Sequence, residues 1–129
     1  MATIKKFEDL ESWKNARIFV KDIYKATTNS DVQNDFGFQD QIRRASISVM
    51  NNIAEGFGRF NNKEFRRFLD ISVGSLLEVK SMLYVAEDLE YFSSEKVEQL
   101  RNDADKIYFQ LLAFITYLRN TVKHKSDNK

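Results

Sequence analysis

The chain is 129 residues long, with 43% apolar and 30% charged side chains and a formal net charge of +1, the proportions of a soluble globular protein with one core. It has no cysteine, which excludes disulfides, thiolate metal sites and a thiol nucleophile. Proline is absent and glycine occurs only four times, which argues for long helices with few turns.

The first predicted helix runs from Ser12 to about Thr27. Ser12 is placed to cap it, and the acidic residues before it suit a helix start. Trp13, Ala16, Val20, Ile23, Tyr24 and Thr27 follow helical spacing. Phe7 and Leu10 lie just before it, in a short N-terminal arm. Thr28–Asp35 is polar and aperiodic, so it reads as a loop. The second helix begins between Asp35 and Phe38 and reaches Glu55, with Phe38, Ile42, Ala45, Val49 and Ile53 as its stripe. Gly56 follows, where a left-handed residue would end the helix.

A third, long helix spans about Asn62 to Leu89. Asn61 or Asn62 caps it, and Phe65, Phe68, Leu69, Ser72, Leu76, Val79, Leu83 and Ala86 make a bundle seam. Ile71, Leu77, Met82 and Val85 lie off that seam, so more than one neighbour is expected. Gly74 costs roughly 1 kcal/mol in a helix relative to alanine, which close helix contact would explain. The fourth helix starts after Phe92, capped by Ser93 or Ser94, with Leu100, Ala104, Ile107, Leu111, Phe114 and Leu118 as its stripe. A polar tail from about 121 should fray. These elements predict an all-α fold: an antiparallel up-down-up-down four-helix bundle forming one domain over 1–129. Spare apolar surface on the last two helices points to an oligomer.

The N-terminus has no long apolar run, so no secretory signal is expected. No stretch approaches the roughly 18 apolar residues of a membrane span. A cytoplasmic protein without a membrane partner is the expectation.

Charge is unevenly placed. Residues 41–67 carry Arg43, Arg44, Arg59, Lys63, Arg66 and Arg67 against Glu55 and Glu64, a net of +4, whereas 68–105 carry three basic residues against nine acidic ones, a net of −6. Such asymmetry steers partners or pairs subunits, or is a plain solvated face.

Catalytic chemistry finds little support. His124 is the one histidine, sits in the polar tail, and has no neighbouring ligands. No Glu-x-x-His pair, phosphate loop or Ser-His-Asp set can be assembled. No enzyme activity, cofactor or metal is expected.

The anomaly is a polar cluster in the second helix: Asn51, Asn52, Glu55, Gly56 and Arg59. Asn52 and Glu55 are three apart and Glu55 and Arg59 four apart, spacings at which helical side chains meet. One reading is a hydrogen-bonded corner that fixes the turn into the next helix. The other is a binding surface.

Phe7-Glu8-Asp9-Leu10 with Trp13 and Ala16, Gln41-Ile42-Arg43-Arg44-Ala45, Asn52-Ile53-Ala54-Glu55-Gly56 with Arg59, Lys63-Glu64-Phe65 with Phe68-Leu69, and Gly74-Ser75-Leu76 with Glu78 together resemble the family of 23S rRNA intervening-sequence proteins, also called four helix bundle proteins. Met50 departs from the family, which often has proline or serine near this place. The resemblance implies antiparallel four-helix bundles assembled as homopentamers around a central channel. Some members are encoded inside insertions in large-subunit ribosomal RNA genes. A related group assists reverse transcriptases of diversity-generating elements and is held to bind nucleic acid.

Two functions follow as expectations. In the first, Arg43, Arg44, Arg59, Lys63, Arg66 and Arg67 meet the phosphates of RNA or DNA, with Lys123, Lys125 and Lys129 as a loose basic tail and Phe57 and Phe60 stacking on bases if exposed. In the second, the chain is a protein-interaction or scaffold module whose charged rims choose its partners.

Overall fold

The computed structural model describes residues 4–121. Among the described residues there is no strand. A 3-10 turn at Phe7–Asp9 precedes α1 (Glu11–Ala26), α2 (Ser30–Asn34), α3 (Phe36–Phe57), α4 (Asn62–Asp88) and α5 (Ser94–Asn120). The tail predicted to fray, with Lys123, His124, Lys125 and Lys129, lies outside the described residues apart from its first position, Thr121.

Each later helix start is closed by a side chain that accepts an otherwise orphaned N–H. Asp35 accepts from Phe38 at 3.2 Å, Asn61 from Glu64 at 2.9 Å and Ser93 from Lys96 at 3.1 Å. The first helix differs from expectation: Leu10 occupies the cap position with no side-chain cap, and Ser12 is buried inside the first turn. The segment read as a loop also differs. Asn29 accepts from Val32 N at 3.0 Å and starts the five-residue α2, which carries Val32 into the core with no exposed surface. A single local cap and one buried valine are too little to produce a visible period.

The end of α4 closes with Tyr91 N–H donating to Ala86 O at 2.8 Å and Glu90 N–H to Glu87 O at 3.1 Å, the Schellman pattern. Glu90 takes the left-handed position, φ 59°. Gly56, predicted for such a role, does not fill it: α3 continues to Phe57, and no glycine has positive φ among the described residues.

Contacts set the helices side by side in a closed circuit, α1 against α3 and α5, and α4 against α3 and α5. Partner positions fall along one helix as they rise along its neighbour. Gln41 meets Glu78, Ser48 meets Ser75, and Val49 O accepts from Ser72 Oγ. Likewise Lys80 meets Asp105, and Asn62 Nδ2 donates to Thr121 O at 2.7 Å. The core between them holds Phe19, Ile23, Ile42, Ile53, Leu69, Leu76, Leu83, Leu100, Ile107 and Leu111, each under 2% exposed. Burying one such side chain stabilises by about 1.5–3 kcal/mol.

The stripes of α3 and α4 are buried as their spacing predicts. That of α1 is rotated: Phe19 enters the core while Tyr24 turns outward. Gly74 is a second correction, because an added Cβ there meets nothing within 4 Å. No close contact within the chain explains this glycine; it faces outward among Ile71, Leu77 and Val85, which are 41%, 46% and 43% exposed.

Candidate nucleic-acid interface

The corner between α3 and α4 is built on Gly56. A Cβ on this residue would stand 2.8 Å from both Phe65 Cδ1 and Phe68 Cβ, so glycine provides the space in which α3 ends against α4. Phe65 meets Phe57 and Phe114 edge to face, with centroids 6.1 and 5.1 Å away. The Phe68 ring is covered by two guanidinium groups, Arg59 at 4.5 Å and Arg67 at 5.0 Å. Arg67 also donates to Glu64 at 3.2 Å. Lys63 is exposed on the same first turn of α4. Arg66 is half-buried, and its Nε has no hydrogen-bond partner among the described residues.

The polar network here is not the one the spacing suggested. Asn52 Nδ2 donates to Ser48 O at 2.9 Å and Ser48 Oγ at 3.0 Å, and the Ser48 and Ser75 hydroxyls are 2.7 Å apart. Glu55 takes no part in that set. Its side chain is 60% exposed and reaches Arg59 only at 4.0 Å, a weak surface pair. Asn51 is exposed. The period placed Glu55 within reach of Asn52, but the bond to a serine one turn back, itself tied to α4, uses the asparagine instead.

Arg43 and Arg44 stand at the other end of α3. At about 1.5 Å per residue, Arg44 lies about 20 Å along α3 from its last residue, Phe57, beside Arg59, so the six basic candidates do not form one patch. Arg43 Nε donates to Thr27 Oγ1 at 2.8 Å and Nη2 to Tyr24 O at 3.3 Å, and the guanidinium lies 4.4 Å over the Tyr24 ring. It thereby closes the carbonyl end of α1. Arg44 pairs with Asp40 at 2.9 Å with its side chain 79% exposed. Around them are acidic groups, including Asp31, Asp35, Glu87, Asp88 and Glu90. Tyr91 donates to Asp35 at 2.7 Å, which pushes its hydroxyl pKa up. The bundle therefore has an acidic end opposite the Arg59–Arg67 corner.

Sequence reasoning passed over the cations of α1. Lys14, Arg17, Lys21 and Lys25 recur at steps of three, four and four, all exposed. The signal was present, but Glu11 just before the row and Asp22 within it mask it in a linear count. Asp103 of α5 sits in the seam with α1, its pKa raised by burial and then by Asp22. Among the described residues, no group of three His, Cys, Asp or Glu side chains could hold a metal ion. No helix among them is long and apolar enough to cross a membrane.

Packed helices with one acidic and one basic end, and outward apolar residues along α4, define a small helical-bundle protein built around surfaces. The chain belongs to the 23S rRNA-intervening sequence protein family, whose model matches residues 8–113. It is also similar to a solved protein of unknown function from the S23 ribosomal protein family of Bacteroides thetaiotaomicron, at 26% identity over 81% of this chain and 97% of that one, with a TM-score of 0.74. No curated protein matches.

Proposed function

We propose that the chain is a non-enzymatic, self-assembling up-down-up-down four-helix bundle, homopentameric as the family resemblance implies, that acts in the cytoplasm as an accessory protein for nucleic acid. The observation that carries this reading is the outward face of α4. Ile71, Leu77, Tyr84 and Val85 are 41–49% exposed there, around Gly74, where the backbone is open to close approach. A helix whose inner stripe is already buried does not need this second apolar face within one chain. Copies packed through it would repeat every basic surface around the assembly.

Arg59, Lys63, Arg66 and Arg67 supply one such surface per copy, suited to phosphates rather than base edges. Arg43 serves the carbonyl end of α1, and Arg44 is balanced by Asp40, so both contribute less than the corner. A scaffold reading is favoured by a separate observation: Phe36 and Leu89, 70% and 53% exposed, stand at the acidic end, where a basic protein partner would find both charge and an apolar anchor. Titration of labelled single-stranded RNA and DNA across a salt series separates the two. Binding that weakens steeply with salt supports the accessory role. An intact assembly that binds neither at low salt would leave the scaffold.

A further inference from the structure

We infer that the outward face of α1 is a track for the phosphate backbone of a single nucleic-acid strand. This rests on the nucleic-acid reading above and adds a surface to it that lies outside the α3–α4 corner. Lys14, Arg17, Lys21 and Lys25 recur at helical spacing, so they share one side of α1, and all four are exposed. Of these four, only Lys14 forms an ion pair among the described residues, with Glu11 at 3.3 Å. The row from Lys14 to Lys25 spans about 17 Å at about 1.5 Å per residue, long enough to meet more than one phosphate of a strand.

The row is also concave at one end. Glu8, Trp13, Lys14, Arg17, Ile18 and Lys21 line an open cavity of about 490 Å³, within the range of about 300–1,000 Å³ typical of ligand sites. Aromatic rings mark both ends of the row. Arg17 lies 5.8 Å over Trp13, and Arg43, reaching across from α3, lies 4.4 Å over Tyr24. Arg43 is spent on the carbonyl end of α1, whereas the Arg17 guanidinium, held on its ring, keeps a fixed direction, which lowers the ordering cost of a phosphate contact. Trp13 packs edge to face on Phe7 at 5.1 Å and Tyr24 is covered by Arg43, so the row offers its cations to the backbone, the electrostatic part of a single-strand surface.

A membrane surface fits less well. The apolar side of α1 is spent on the core through Ala16, Phe19 and Ile23, and Ile18 is the single strongly exposed aliphatic of the helix, at 52%. An interfacial helix needs a broad apolar face to insert.

The test is a fluorescence titration of a short labelled single-stranded RNA across a salt series, comparing the wild type with the double variant Lys14→Gln, Lys21→Gln. A second double variant, Lys96→Gln with Arg101→Gln on α5, makes the same change in total charge elsewhere. The α1 variant is expected to bind about tenfold more weakly at low salt, with a salt slope shallower by about 1.4, at about 0.7 for each phosphate no longer neutralised. Lys14→Arg with Lys21→Arg should restore both. Equal loss in the α1 and α5 variants would overturn the track, as would unchanged binding by the α1 variant. Wild type that binds no RNA at low salt would overturn the nucleic-acid reading and the track with it. Wild type that binds anionic phospholipid vesicles but not RNA would replace both with a membrane role.

Discussion

Gly56 and Glu55 are neighbours in the chain with opposite weights in the structure. Gly56 is buried and its missing Cβ is the space that Phe65 and Phe68 occupy. Alanine has the better helix propensity by about 1 kcal/mol, but the added methyl would meet the Cβ of Phe68, which cannot swing aside. Gly56→Ala should therefore destabilise by about 1–3 kcal/mol net, read as a lower urea midpoint; an unchanged or higher midpoint would show that the corner yields. Glu55 is an exposed side chain with a 4.0 Å pair. Glu55→Ala and Glu95→Ala should have urea midpoints that differ by no more than about 0.5 kcal/mol when converted to stability. A clearly larger cost at Glu55 would mean that its carboxylate enters a network in solution. The sequence could point to a polar corner because asparagine, glutamate and glycine interrupt an apolar stripe. It could not say which polar group is used, since that depends on Ser75 arriving from α4.

At the scale of elements, the long helices were legible because apolar side chains recur at three and four over many turns, and Asn61 and Ser93 mark two of the starts. α2 was not legible: five residues hold too few turns to show a period. The rotation of α1 escaped for a related reason. Trp13, Val20 and Tyr24 fit the same spacing as Phe19 and Ile23, and only the direction of the neighbouring helices decides which row is inside. α4 poses the remaining question, because its outward residues have no use within one chain. If that face joins copies, the unfolding midpoint should rise with protein concentration, since association stabilises only folded chains. Leu77→Glu should leave the far-ultraviolet circular dichroism helical and remove the concentration dependence. A wild-type midpoint that does not move with concentration would take this face out of any assembly.

For the whole molecule, the antiparallel packing sorts charge that the linear sequence mixes. The net +4 of residues 41–67 is divided between two ends, because α3 carries Arg43 and Arg44 at the acidic end and the turn that follows it holds Arg59 at the basic one. The basic row of α1 emerges only when its helix is wound, and Glu11 pairs with Lys14 alone among its four cations. Both surfaces are modest in one chain of net charge +1, and polyanion binding gains from repeating them. Assembly therefore comes first, and the most direct measurement is the mass of the wild-type particle by light scattering over a wide concentration range. A homopentamer predicts five times the 15.2 kDa chain; a mass that stays at 15.2 kDa throughout would contradict it.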